Sequence, residues 1–159
     1  MTKELILLAT SKKYGKYCVA GIDTKTGNWI RLVSHNSDAH YAIDAKDLVL
    51  DNGCMAQKLD IVELELTDRA ISYFQTENYI IRKNSVWHYK GKSSIAEVSV
   101  LHPPNRQEFI FYDTSRKLAK AHYARLPLEQ IYSLLLITPD KAEVEITQRE
   151  QEKRVTLKL

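Results

Sequence analysis

Apolar positions recur along this chain in short runs, and several alternate with polar residues at the period of two that marks a strand. Glu4 to Thr10, centred on Leu5-Ile6-Leu7-Leu8, predicts a short buried first strand. Ser11 to Lys16 is a basic loop. Tyr17 to Ile22 predicts a second strand and Asn28 to Val33 a third. Between them Asp23-Thr24-Lys25-Thr26-Gly27 is a turn signal, with glycine supplying the positive φ of a bulged hairpin loop. Strands two and three are therefore expected to form a hairpin ending in Trp29-Ile30-Arg31.

Ser34 to Asp47 is polar and irregular, with a short helical turn near Ala42 to Leu48. Asp51-Asn52-Gly53 is a second turn. Leu59 to Thr67 interleaves Val62, Leu64 and Leu66 with Glu63 and Glu65, and predicts a strand with one wet face. Asn78 to Arg82 and Val86 to Tyr89 predict two more short strands, and Lys90-Gly91-Lys92 a turn. His102-Pro103-Pro104-Asn105 breaks the chain and is the best boundary. Phe109 to Tyr112 is a short apolar-aromatic run.

Thr114 to Arg125 carries helical spacing through Leu118, Ala121 (or His122) and Arg125 or Leu126. Asp113, Thr114 or Ser115 is available as a cap, and Pro127 as a stop. Ile131 to Ile137 predicts a buried strand. Ala142 to Thr147 and Val155 to Leu159 alternate on either side of the charged connector Arg149 to Arg154. Many short strands, one helix and glycine-bearing turns together predict a mainly β chain, a small barrel or sandwich.

The chain has 159 residues, enough for one ordinary domain or two very small ones. Hydrophobic residues at 44% and charged residues at 27% match a globular protein that buries a real core. No apolar run approaches the roughly 20 residues that span a bilayer. The apolar stretch after Lys3 is too short for a signal-peptide core, so a cytoplasmic location is expected, with no membrane partner.

Charge is more informative in its distribution than in its sum of +3. Lys3, Lys12, Lys13, Lys16, Lys25 and Arg31 make the first segment basic. Asp38 to Asp68 is acidic, and Arg82 to Lys92 is basic again. After folding, such blocks are expected to form a positive and a negative face.

Most catalytic chemistry finds no support. The two cysteines, Cys18 and Cys54, stand alone, without the paired spacing of a zinc or redox site. The five histidines, His35, His40, His88, His102 and His122, lack metal-site spacing. With only five glycines there is no phosphate-cradling loop. The strand acids Asp60, Glu63 and Glu65, and Asp140, Glu143 and Glu145, lack the lysine that a metal-dependent nuclease places beside them. The expectation is a non-enzyme with no cofactor, metal or catalytic residue.

Three aromatic-plus-basic clusters point to binding instead. The first is Lys12, Lys13, Tyr14, Lys16 and Tyr17; the second is Trp29 with Arg31, two apart and so on one strand face. The third holds Tyr79, Arg82, Lys83, Trp87, His88, Tyr89, Lys90 and Lys92. Bases stack on aromatic rings while Lys or Arg holds the phosphates, which is how single strands are bound. The expected contacts are Lys12, Lys13, Tyr14, Lys16, Trp29, Arg31, Arg82, Lys83, Trp87, Tyr89, Lys90 and Lys92. The competing reading puts Trp29 and Trp87 in the core and Arg31 in an ion pair.

Leu5 to Lys13, Gly15 to Ile22 and Thr26 to Ser34 resemble the opening of the bacterial dual OB-containing family. Asp51-Asn52-Gly53, Leu59 to Glu63, Gln75 to Ile81, Trp87 to Gly91 and Ser133 to Ile137 follow in that family's order. The chain departs from the family at Leu32, where proline is frequent. The resemblance implies OB-like barrels and a nucleic-acid-binding role, and it brings no catalytic residues. Residues 1–100 are then a first OB-like barrel. Residues 101–130 are a connector with the helix at 114–125, and 131–159 a partial second unit, expected to be incomplete at Leu159. The leading expectation is a single-stranded RNA- or DNA-binding module. Its alternative is a protein-interaction or regulatory domain, with a partner or second copy joined through the C-terminal strands. A ligand-sensing domain of PUA-like or ASCH-like shape is a third.

Overall fold

A computed structural model describes residues 1–13, 15–35, 41–72, 74–105, 121, 124–149 and 152–158. The elements are β1 (Thr2–Lys13), β2 (Lys16–Asp23), β3 (Trp29–Val33), β4 (Asp60–Arg69), β5 (Asn78–Ile81), β6 (His88–Lys92), α1 (Ile95–Leu101), β7 (Glu143–Arg149) and β8 (Glu152–Lys158). Short 3-10 turns lie at Ala45–Leu48 and Leu128–Gln130.

The sheet order is β1-β2-β3-β5-β4, and β1 pairs back onto β4, so five strands close into a barrel. All neighbours are antiparallel except β3 and β5, which run parallel with Arg31 opposite Asn78 and Val33 opposite Ile80. This is an OB-like barrel, with β6 added along the first half of β4. The mainly β architecture and the OB-like barrel expected from the sequence are present. β7 and β8 form a separate two-stranded sheet in full register from Glu143–Lys158 to Arg149–Glu152.

β1 explains how the barrel closes. A register shift between Leu7 and Ala9 bends the strand, so Thr2 to Ile6 pair with β4 while Leu5 to Lys13 pair with β2. The continuous run Leu5-Ile6-Leu7-Leu8 is apolar because both of its faces are covered. Leu5 and Leu7 point into the barrel with Val19, Ile30, Leu32, Val62, Leu64, Leu66 and Trp87. Ile6 and Leu8 lie outside, packed with Ile22, Trp29, Val98 of α1 and Leu136. Gly21 stands opposite Leu7 in the adjoining strand. A Cβ at Gly21 would lie 2.4 Å from the Ile6 carbonyl oxygen, so the close approach admits no side chain.

The expected hairpin is confirmed. Gly27 has φ +70° and its N–H donates to the Asp23 carbonyl at 2.9 Å. Other expectations are corrected. The basic loop placed at Ser11 to Lys16 is largely strand, because β1 runs to Lys13 and β2 starts at Lys16. Lys90-Gly91-Lys92 is not a turn; it continues β6 with a bulge, Gly91 pairing with Ile61 and Tyr89 with Val62. Ile131 to Ile137 is not a strand; it makes one bridge, Ile137 to Asn105. Within it, Leu136 packs on the outside of the barrel rather than in a ladder.

α1 was not expected. Ser94 and Glu97 form a capping box, in which Glu97 N–H donates to Ser94 Oγ and Ser94 N–H to the Glu97 carboxylate. The helix expected at 114–125 and the run Phe109 to Tyr112 lie almost wholly outside the described residues.

Candidate nucleic-acid interface

An OB barrel binds its ligands across the outer face of strands two and three and through the β1–β2 and β4–β5 loops. Here that face carries Cys18, Ile22, Trp29, Arg31 and Val33, and its two ends differ. At one end Ile22 and Trp29 are covered by Val98, Leu101 and Leu136. Trp29 meets His102 edge-on, with ring centroids 5.7 Å apart at 72°. The imidazole Nδ1 lies 2.8 Å from the Gly27 carbonyl, which clamps the hairpin turn to the end of α1.

At the centre the chain's own segment crosses the face. Arg31 Nη2 donates to Ser133 Oγ at 2.7 Å and lies 3.5 Å from Glu77 Oε1, while Ser133 Oγ donates to the Glu77 carboxylate. Thr76 Oγ1 donates to the Ile131 carbonyl at 3.0 Å, and Asn105 N–H to the Leu136 carbonyl at 2.7 Å. Glu77 is 8% exposed, and Arg31 is the cation paired with it.

The other end is open. A cleft of about 380 Å³ lies between Cys18 and Val33 on the strands, Tyr41 and Ala42, and Ala70, Ile71, Ser72 and Gln75 of the β4–β5 loop. Arg31 and Asn78 line it as well. A second cleft of about 310 Å³ is lined by Ser34 and Ile43, which follow Val33 and Ala42 in the chain. Its cations are Lys46, Arg82 and Lys83, with His35, and its acids are Asp44 and Asp47. Lys16 reaches the same rim through a 2.9 Å pair with Asp44. A hydrogen bond from Lys16 holds the Asp44 carboxyl below its ordinary pKa.

The twelve expected contacts are thus dispersed. Lys12 is exposed near the end of β1; Lys13 is in β1, and Tyr14 lies outside the described residues. Lys16, Arg82 and Lys83 gather at the second cleft. Trp87 is the main correction: at 1% exposure it fills the barrel interior and has no ring face to offer a base. Trp29 is likewise engaged, in packing under α1. Arg31 is held in the ion pair that the competing reading anticipated.

Tyr89, Lys90 and Lys92 sit on β6, beyond β4, which β1 separates from β2 and β5 from β3. Lys90 pairs with Glu63 at 2.9 Å and Lys92 with Asp60 at 3.1 Å. The Lys90 hydrogen bond lowers the Glu63 pKa, and Glu63 in turn raises that of Lys90. The Lys90–Glu63 pair is exposed and adds little to stability, whereas the Asp60 partner of Lys92 is buried.

Asn78, Glu77, Tyr41 and Ser133 were not singled out from the sequence. Glu77 and Asn78 fall in Gln75 to Ile81, which carried family resemblance; nothing local marks a loop glutamate as buried. Among the described residues no cluster of three or more His, Cys, Asp or Glu is placed to hold a metal, and no helix is long and apolar enough to cross a membrane.

A family model described as a dual OB-containing domain matches residues 3–159. No curated protein and no solved structure matches the chain.

Proposed function

Because the chain belongs to the dual OB-containing domain family, we propose that it is a non-enzymatic module that binds single-stranded RNA or DNA. The observation that carries this reading is the closed β1-β2-β3-β5-β4 order, whose β2–β3 face opens into a cleft at one end. The strand would run along that end from the first cleft into the second. Lys16, Lys46, Arg82 and Lys83 would take phosphates there, with Lys12 nearby. The work of Trp29 and Trp87 is packing. A cytoplasmic location fits this role.

Fluorescence anisotropy with a short mixed oligonucleotide over a salt series tests the reading. Neutralising four phosphates of a single strand gives a log–log salt slope of about −3. Absence of binding at low salt, or binding with no slope, rejects the proposal.

A second reading, association with a protein partner or another copy through the C-terminal strands, is favoured by Val144 and Ile146. They are 64% and 65% exposed on one side of β7, opposite Leu157 and Val155 of β8. Sedimentation that shows only monomer at high concentration, together with a pull-down that captures no partner, rejects it.

A further inference from the structure

Deepening the nucleic-acid reading, and resting on it, we infer that the first cleft is a pocket for one unstacked nucleobase. Its volume of about 380 Å³ lies in the range of small-ligand sites and exceeds what one base requires. Its walls are largely apolar, from Val33, Ala42, Ala70 and Ile71.

The polar groups in it are specific. Asn78 is 5% exposed, and its Nδ2 donates to Gln75 Oε1 at 3.1 Å, yet its Oδ1 is buried with no partner among the described residues. Arg31 uses Nη2 for Ser133 and Glu77, while its Nε is also buried with no partner among them. The two residues face each other across the parallel β3–β5 ladder. One unmet acceptor and one unmet donor thus border the same cleft, and buried groups of this kind are rarely left unsatisfied. Turned toward the cleft, the Asn78 C=O and the Arg31 N–H would together be the complement of a base edge with adjacent donor and acceptor.

The alternative ligand chemistry, a phosphate, fits poorly. It has only acceptors to set against the Asn78 carbonyl, and Glu77 already meets the Arg31 charge. Tyr41 stands at the rim, 49% exposed, with φ +60° and its carbonyl accepting from Ser34 N–H at 2.8 Å. Tyr41 both lines the cleft and is exposed, so its ring is available to stack on a base.

The test is an amide NMR titration of the full chain with adenosine, cytidine, guanosine, uridine and, as the phosphate arm, ribose 5-phosphate. The expected result is shifts at Cys18, Ala42, Ser72 and Asn78 with at least one nucleoside, and none there with ribose 5-phosphate. Ile71→Trp, which fills the mouth from an exposed position, should abolish the shifts. Asn78→Leu should weaken nucleoside binding tenfold or more while keeping the melting temperature, because it removes an unpaired acceptor. A purely structural Asn78 would instead lower the melting temperature and leave binding unchanged, which overturns the inference. Equal shifts with ribose 5-phosphate overturn it too. Oligonucleotide binding without nucleoside shifts removes the pocket and leaves the broader reading standing. Nucleoside binding without oligonucleotide binding does the reverse.

Discussion

Replacing Arg31 with methionine strands the Glu77 carboxylate, and the cost follows from burial. Glu77 is 8% exposed and the Arg31 side chain 19%. Removing one partner of a buried ion pair costs about 3–5 kcal/mol, because the remaining charge keeps its desolvation penalty without its counterion. Water reaches part of the guanidinium, so the lower end applies, about 3 kcal/mol. For a chain of this length each kcal/mol shifts the melting temperature by about 2–4 °C, so Arg31→Met should melt roughly 6–12 °C lower. Adding Glu77→Gln removes the stranded charge and should recover most of the loss, with a coupling of about 1–3 kcal/mol in the double-mutant cycle. Thermal unfolding followed by circular dichroism reads both values. If Arg31→Met melts like the parent, Arg31 does not hold the Glu77 charge and its structural assignment is wrong.

Trp87→Ala should cost about 3–5 kcal/mol, read as a lower urea midpoint, since the indole fills the barrel centre; unchanged stability would contradict its placement. Gly21→Ala should cost at least about 1–3 kcal/mol in the same assay, because the new methyl meets a backbone carbonyl of the neighbouring strand. Acid should destabilise the protein partly through Asp23. Its burial pushes the carboxyl up, but the Lys3 hydrogen bond and charge and the N–H groups of Lys25 and Thr26 outweigh that and leave it below its ordinary 3.8. A pKa depressed on folding gives stability that is present above the unfolded value and lost as pH falls through the folded one. Urea midpoints measured downward from pH 6 should therefore fall below about pH 4, and Asp23→Asn should flatten that limb.

Much of the barrel was legible because its cause is local. Alternation in Leu59 to Thr67 gave the wet and dry faces of β4, and Asp23 to Gly27 gave the hairpin turn. The continuous run Leu5 to Leu8 announced a strand buried on both sides. The capping box at Ser94 and Glu97 was also legible, but it opens a helix of only seven residues, too short for spacing to reveal. Ile131 to Ile137 misled for a related reason: an apolar run records that a segment is buried, not whether a ladder or the side of a barrel buries it.

By itself, the sequence determined most strands of the barrel, the hairpin turn at Asp23 to Gly27, and which family the chain belongs to. Only the tertiary structure decided which aromatic and basic residues are already engaged within the chain. Trp87 went to the core, Trp29 under α1, Arg31 to Glu77 and Ser133, and Lys90 to a strand away from the β2–β3 face. A strand's period of two says which residues share a face, but not what lies over that face. That is settled by distant parts of the chain, and here residues 102 positions apart in sequence meet where Arg31 bonds Ser133.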